Sequence, residues 1–169
     1  MKNLLLPLLI TLSTTILAKN PDSLFGVYIN DNVLDYFTKE ELKSKSRDRA
    51  RGFYVLRLKN PPVSNKDYSD ELFVMFDKNN KIGRIISEKV FQNFETCEKL
   101  GYSVRRLLES KYDFEFERNT YTKYGFDKWV GDNQIAIQCL ATDNNTYLYI
   151  FLQTEKYFYK YDEYLDSKI

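Results

Sequence analysis

The sequence predicts an α+β fold: an antiparallel sheet of about five or six strands with helices packed on one face. Short runs in which apolar and polar residues alternate recur along the chain, and short links rich in Asp and Asn join them as in β-hairpins. One longer segment, residues 93–112, has apolar residues three or four positions apart, which is the spacing of an amphipathic helix capped by Asn93. The strand, helix, strand alternation of parallel sheets is absent from the sequence.

The clearest strand pair lies within residues 129–153. Residues 134–141 and 147–153 both alternate, and the Asp-Asn-Asn-Thr sequence at 143–146 is typical of a tight turn. A turn at Asn144 and Asn145 sets the register of the two strands. The predicted cross-strand pairs, which all lie on one apolar face, are Ala141 with Leu148, Cys139 with Ile150, and Ile137 with Leu152.

The other elements are predicted from shorter signals. Strands are expected at residues 24–29, 53–58, 72–76, 82–91 and 113–117, whereas residues 119–128 look irregular. Short helical segments are expected after Asp31 or Asn32 and after Thr38, and a C-terminal helix is expected after Thr154. Each half of the chain thus reads as helix, strand, Asp- and Asn-rich turn, strand, so the fold could consist of two helix-plus-hairpin halves.

The two cysteines are expected to form a disulfide. Cys97 lies on the apolar stripe of the predicted helix, and Cys139 lies on the apolar face of the predicted hairpin. The two periodicities therefore place both residues where the helix would lie on the sheet. A reduced, reactive pair is the alternative, but the two residues are far apart in sequence and do not form a Cys-x-x-Cys motif.

The first 18 residues are predicted to be a secretory signal peptide, followed by a single globular α+β domain at residues 19–169. Lys2 supplies the positive start, an apolar run follows, and Ala18 is a small residue at the cleavage position. An uncleaved anchor is the alternative, but the run is shorter than the roughly 20 residues of a membrane-spanning helix. The abundance of Lys, Asn, Tyr and Ile suggests a bacterial source, so we expect a periplasmic protein, with secretion as the second choice.

Several chemistries are excluded by composition. The chain has no histidine, which removes the usual general base and the usual transition-metal ligand. Its six glycines are scattered singly, so no phosphate-binding loop is present. We expect no cofactor and no metal, and the enzyme question leans towards no. Without Lys2 the basic and acidic residues are equal in number, so no excess of positive charge points to nucleic acid.

Carboxylates are the remaining catalytic candidates, because glycosidases need only Asp and Glu. One cluster comprises Asp67, Asp70 and Glu71, and another comprises Asp162, Glu163 and Asp166. Both lie in polar segments and are expected to be ordinary solvated acids.

A run of basic residues is the first candidate contact surface. Cations occupy every second position, at Lys43, Lys45, Arg47, Arg49 and Arg51. In an extended chain they would share one side and could bind an anionic envelope surface or a protein partner. The alternative is a solvated loop leading into an edge strand, where basic residues discourage unwanted pairing.

Aromatic residues form the second candidate surface, which comprises Trp129, Tyr147, Tyr149 and Phe151. The last three alternate with the core residues of the hairpin and therefore share its outer face. They could stack on sugars or contact another protein. The favoured alternative is that the C-terminal helix covers them, because a bare aromatic row on a sheet promotes aggregation.

The opening at residues 24–36, Leu-Phe-Gly-Val followed by Asn-Asp-Asn-Val-Leu-Asp-Tyr, and the Cys97 and Cys139 pair together resemble a group of small, uncharacterised bacterial periplasmic proteins. The order of helix and hairpin is also similar to small domains of outer-membrane assembly lipoproteins, although no lipidated cysteine is present here. Neither resemblance implies an activity. The expected function is a non-catalytic binding or protein-interaction domain, with two alternatives: a sugar-binding protein or carboxylate-dependent hydrolase, and an inhibitor or immunity-type protein. Oligomeric state is left open.

Overall fold

A computed structural model describes residues 20–44, 46–48, 53–64, 66–120 and 122–159. Its strands are β1 Ser23–Leu24, β2 Val27–Tyr28, β3 Ser46–Asp48, β4 Phe53–Leu58, β5 Glu71–Phe76, β6 Ile82–Phe91, β7 Glu117–Arg118, β8 Tyr124–Val130, β9 Asn133–Ala141 and β10 Thr146–Thr154, and its α-helix α1 spans Phe94–Tyr112. Eight strands form one antiparallel sheet in the order β3-β4-β5-β6-β10-β9-β8-β7, and β1 pairs separately with β2.

The sheet consists of two four-stranded meanders that meet at its centre. Strands β3 to β6 form the first meander, strands β7 to β10 form the second, and α1 connects them. The last strands of the two meanders, β6 and β10, pair with each other. This arrangement is compatible with two related halves, but each half has four strands rather than a single hairpin, and duplication of one unit stays a prediction.

The predicted α+β class and antiparallel sheet are confirmed, whereas the strand number and the helical layer are wrong. The sheet has eight strands, partly because residues 119–128, predicted to be irregular, contain the start of β8. Asp127 and Lys128 obscure the strand pattern there because the sheet is only partly buried at this position. Beyond α1, the helical pieces in the described ranges are 3-10 turns at Val33–Asp35 and Glu41–Ser44 and a helical turn at 155–159. Helices are therefore a minor part of the fold and do not form the layer that was expected.

Helix α1 lies against β9 and begins as predicted. The Asn93 side chain accepts a hydrogen bond of 2.9 Å from the Thr96 backbone N–H, which satisfies one of the free donors of the first turn. Cys97, Val104 and Leu108 on the inner side of the helix are buried. We call the face of the sheet that carries α1 the core face.

A disulfide joins α1 to the core face, as the sequence predicts. Cys97 and Cys139 form a bond with a Cα to Cα distance of 6.1 Å, and both side chains are buried. The bond closes a loop with a sequence separation of 42 residues. A loop of that length stabilises the folded state by about 4 kcal/mol through the entropy lost from the unfolded chain.

The N-terminal segment, residues 20–44, packs into the same core as α1. Its buried residues include Leu24, Val27, Val33 and Phe37. Backbone hydrogen bonds tie the segment to the start of β6, for example from the Asn30 N–H to the Ile82 carbonyl oxygen at 2.8 Å. The predicted capping box is present, because the Thr38 hydroxyl and backbone N–H both bond to the Glu41 carboxylate, at 2.9 and 2.7 Å. A segment of short strands and 3-10 turns thus contributes part of the cover that the sequence assigned to helices.

The predicted strand at residues 24–29 is instead the two short strands β1 and β2. Phe25 and Gly26 separate them, with φ values of 52° and 79°. A Cβ atom at Gly26 would come within 2.9 Å of the Pro62 Cβ atom. The turn therefore uses the freedom of glycine for both its conformation and its close packing.

The β9–β10 hairpin has the predicted faces but a register shifted by two residues. Leu148 pairs with Cys139 and Ile150 pairs with Ile137. The turn is centred one residue earlier than expected, because the Thr142 N–H and hydroxyl both donate to the Asn145 carbonyl oxygen, at 2.8 and 3.0 Å. An even shift leaves every side chain on its predicted face.

Candidate contact face

The face of the sheet opposite α1, which we call the second face, carries the alternate side chains of every strand. On β10 these are Tyr147, Tyr149, Phe151 and Gln153, because Leu148, Ile150 and Leu152 point to the core face. The cross-strand partners of these residues on β6 and β9 lie on the same face. The two ends of this face differ in how they are covered.

One end is covered by the helical turn at residues 155–159. The Tyr157 side chain is 1% exposed, and its ring centroid lies 4.1 Å from that of Phe53. Its hydroxyl donates to the Met75 Sδ atom at 2.9 Å. Gly83 gives the ring room, since a Cβ atom there would approach the Tyr157 Cδ2 atom to 2.9 Å. This cluster is a second small core, but it is built from Phe53, Met75 and Tyr157 and does not include the predicted aromatic residues Tyr147, Tyr149 and Phe151.

Buried amides cross the sheet beside this cluster. The Gln153 Nε2 atom donates to the Gln134 Oε1 atom at 2.5 Å, and the Gln134 Nε2 atom donates to the Asp127 Oδ2 atom at 2.9 Å. Both glutamine side chains are buried, so each needs the hydrogen bonds that the other supplies. The hydrogen bonds between these side chains therefore explain why polar residues are buried at this position.

The other end of the second face is not covered by any described segment. Val90 on β6 and Leu140 on β9 are the direct partners of Tyr147 on either side of β10. Val90 is 41% exposed and Leu140 is 38% exposed, whereas Tyr147 and its neighbour Tyr149 are half-buried. The two tyrosine rings lie 5.9 Å apart with their planes 16° apart. We call Val90, Leu140, Tyr147 and Tyr149 the open patch.

Acidic residues border the open patch. Glu88 is the cross-strand partner of Tyr149 on β10 and of Glu71 on β5. Burial, the charge of Glu88 and a hydrogen bond with it together raise the pKa of Tyr149 to about 12. Glu71 forms an ion pair with Arg57, with 2.8 Å between the guanidinium and the carboxylate.

The structure divides the predicted aromatic surface into three environments. Tyr147 and Tyr149 lie together in the open patch. Phe151 is 8% exposed, and the Arg84 guanidinium lies over its ring at 4.4 Å. Trp129 lies on the second face, on β8 next to the edge strand β7, and packs edge-on against Phe158. The four residues therefore share a face but do not form one platform.

The basic strip lies mostly outside the described residues. Lys43 is exposed and pairs with Glu40 at 2.6 Å. The backbone of Arg47 belongs to β3, which is an edge strand paired only with β4. Lys45, Arg49 and Arg51 are not in the described ranges, so a role for the strip as a contact surface stays a prediction.

The predicted carboxylate clusters do not converge on a site in the described ranges. Asp70 pairs with Lys89 at 3.3 Å and accepts a hydrogen bond from the Val90 N–H, and Glu71 binds Arg57. The cluster at residues 162–166 lies outside the described ranges. Among the described residues, no three or more Asp, Glu, Cys or His side chains are grouped to hold a metal ion.

Two shallow depressions in the surface lack paired carboxylates. One, of about 360 Å³, is lined by Lys99, Tyr102, Ser103 and Arg106 on the outer side of α1. The other, of about 270 Å³, lies between the β5–β6 turn and residues 154–157, and Asp77 supplies its single carboxylate. Neither has the two carboxylates that glycoside hydrolysis requires.

Sequence reasoning missed Val90, Leu140 and Glu88 as surface residues. Leu140 had a usable signal, because it is the one large apolar residue among Gln134, Ala136 and Gln138 on the outer side of β9. Val90 and Glu88 had none, because they join the patch through pairing between β6 and β10, which are more than 50 residues apart in sequence.

No protein-family model matches the chain, and comparisons with curated proteins and with solved structures give no significant match. Among the described residues, no helix is long and apolar enough to cross a membrane. The difference between the two ends of the second face is therefore the structural feature on which a proposed function depends.

Proposed function

We propose that the protein is an exported, non-catalytic protein-interaction domain that binds its partner through the open patch. The observation that carries this proposal is the exposure of Val90 and Leu140 on both sides of Tyr147, at the end of the sheet that the described segments leave uncovered. At the other end of the same face, the aromatic residues are covered by residues 155–159.

The composition of the open patch supports a protein partner. Burying the two aliphatic side chains and the two tyrosine rings would be favourable, because apolar area leaves water. The tyrosines are half-buried and pack on each other, so they lose little further side-chain freedom on binding. An apolar centre with a polar rim is the usual anatomy of a protein interface, and the acidic residues at the border supply part of such a rim.

A hydrolase is supported less well. It would need two facing carboxylates beside aromatics in a cleft, and Glu71 and Glu88 do face each other next to Tyr149. They stand on the open surface of a sheet, however, and Glu71 is bound to Arg57. A sugar-binding role is disfavoured because aliphatic side chains, which do not stack on sugar rings as aromatics do, flank Tyr147.

Export to the periplasm, or secretion, is the second part of the proposal. The buried disulfide supports an oxidising compartment, because such bonds persist outside the reducing cytosol. The signal peptide predicted at residues 1–18 lies outside the described residues and is tested by the N-terminal sequence of the exported protein.

The test is an affinity pull-down from envelope extract with the disulfide-bonded protein. The Val90→Ser, Leu140→Ser double variant should lose a stoichiometric partner that the wild type retains. Its free energy of unfolding should change by less than about 0.5 kcal/mol per site, because both side chains are substantially exposed. The matched control is Leu107→Ser on α1, where the side chain is 55% exposed. A partner captured equally by both variants would contradict the proposal.

A further inference from the structure

We infer that the open patch recognises an extended partner segment in which a Lys or Arg and a large apolar residue lie two positions apart, on the same side of the segment. This inference rests on the proposed function and names the chemistry of its partner. It follows from the charges that surround the patch, considered one neighbour at a time.

Three described cations on or beside the strands of the patch are directed to other groups. Arg57 is paired with Glu71 at 2.8 Å. Lys123 immediately precedes β8, and its ammonium is 4.6 Å from the centroid of the Phe94 ring in α1. Lys89 points to the core face and bonds to the Lys66 carbonyl oxygen and to Asp70.

Negative charge at the patch is not balanced in the same way. Glu88 is adjacent to Tyr149, and the partner that the described residues supply for its carboxylate is the neutral Tyr149 hydroxyl. Asp143 adds a second exposed acid on the β9–β10 turn, beyond Leu140. The local field therefore favours a cation at the patch and disfavours an anionic lipid or an acidic segment.

The spacing of the two kinds of side chain suits an extended segment. Glu88 and Val90 are two positions apart on β6, as are Tyr149 and Tyr147 on β10. Two positions along a strand span about 6.5 Å, which is also the spacing of side chains on one side of a bound extended peptide. A Lys or Arg could reach Glu88 with its stem along the tyrosine rings, while an apolar neighbour covers Val90, Tyr147 and Leu140.

Three synthetic peptides of one length test this chemistry: acetyl-(Lys-Ser-Leu-Ser)2-amide, acetyl-(Glu-Ser-Leu-Ser)2-amide and acetyl-(Lys-Ser-Ser-Ser)2-amide, called the Lys-Leu, Glu-Leu and Lys-Ser peptides. In an extended chain the first of these places Lys and Leu two positions apart on the same side. Binding to the disulfide-bonded protein is measured by titration, and the site is mapped from amide NMR shifts. The Lys-Leu peptide should bind at Val90, Tyr147 and Leu140, at least about tenfold more tightly than the other two, which corresponds to one charge-assisted contact or a few buried methylenes.

The Glu88→Gln variant should weaken binding of the Lys-Leu peptide about tenfold, whereas the control Glu95→Gln, which changes an exposed acid on α1, should leave it unchanged. Equal binding of the Glu-Leu or Lys-Ser peptide, no effect of Glu88→Gln, or no binding of any peptide would overturn the inference. So would a dimer dissociated by Val90→Ser, Leu140→Ser in sedimentation, because a second copy would then be the occupant. A partner lost by that double variant in the extract, together with no peptide binding, would reject the chemistry and leave the proposed function standing.

Discussion

The two faces of the sheet are built from the same strands but have different roles. On the core face, Leu148 and Ile150 of β10 are almost completely buried beneath α1 and the N-terminal segment. On the second face, Tyr147 lies between two exposed aliphatic side chains, although it is the immediate neighbour of Leu148 in the chain. The contrast indicates that the core face carries most of the buried apolar side chains, whereas the described segments leave one end of the second face uncovered.

At the covered end of the second face, the chain itself buries aromatic side chains, which shows what the open end lacks in the described ranges. Residues 155–159 place one buried tyrosine on Phe53, Met75 and Gly83, so aromatic residues on this face can be covered by the chain itself. The same strands carry no such cover at Val90 and Leu140 in the described ranges.

Removal of the disulfide should have the largest effect on the core face. The Cys97→Ala, Cys139→Ala double variant should lose about 4 kcal/mol of the free energy of unfolding, because the unfolded chain regains the entropy of an open loop. Urea unfolding followed by circular dichroism measures the change. A loss below about 1 kcal/mol would show that the helix-to-sheet bond does not hold the core face together.

Truncation of the buried tyrosine tests the covered end. Tyr157→Ala should cost about 3 kcal/mol, since it removes a ring that is 1% exposed and leaves a cavity against Phe53 and Met75. Tyr159→Ala, two residues later and 56% exposed, is the matched control and should be nearly neutral. Equal effects of the two changes would mean that residues 155–159 do not cover the sheet.

The raised pKa of Tyr149 should make the stability of the protein fall at alkaline pH. The pKa of Tyr149 is raised from 10.0 to about 12 in the folded state, so the unfolded chain releases this proton first as the pH rises. Stability is therefore fully present below pH 10 and falls as the pH rises through 12, by under about 1 kcal/mol for this partly solvated group. Tyr36, with a pKa of about 12, adds to the same loss.

The Tyr149→Phe variant should show a shallower fall in stability between pH 10 and 12, measured by urea unfolding at both ends of the range. In an alkaline titration followed by absorbance at 295 nm, the variant should lack the signal of one tyrosine that ionises late. If the pH dependence of the variant equals that of the wild type, Glu88 and burial do not hold the proton of Tyr149 in place.

Sequence periodicity predicts those elements whose partners are near in the chain. Helix α1, its Asn93 cap, the faces of the β9–β10 hairpin and the disulfide all follow from spacing within one segment or between two faces. The register of the hairpin was wrong by two residues, because hydrogen bonds from Thr142 decide where the turn closes and composition alone does not show them. The strands and helical turns near the N-terminus were predicted in part, but their packing over the core face was missed, because such short elements have no periodicity that indicates their partner.

The candidate contact face was predicted only in part, for a related reason. Tyr147 and Tyr149 were found because alternation places them outside the hairpin core. Val90 and Glu88 join them through a pairing between two distant strands, and no local pattern specifies which strands become neighbours. The division between covered and open ends depends on Tyr157 reaching Gly83, which is a tertiary contact.

Site-specific photo-crosslinking distinguishes the second face from α1 as the contact surface of the protein. A photoreactive phenylalanine analogue at Leu140 in the open patch is compared in intact cells with the same analogue at Leu107 on α1, both exposed apolar sites. We predict that Leu140 gives one discrete crosslinked species that disappears with Val90→Ser, while Leu107 gives none. A discrete species at Leu107 with none at Leu140 would contradict the assignment of recognition to the second face.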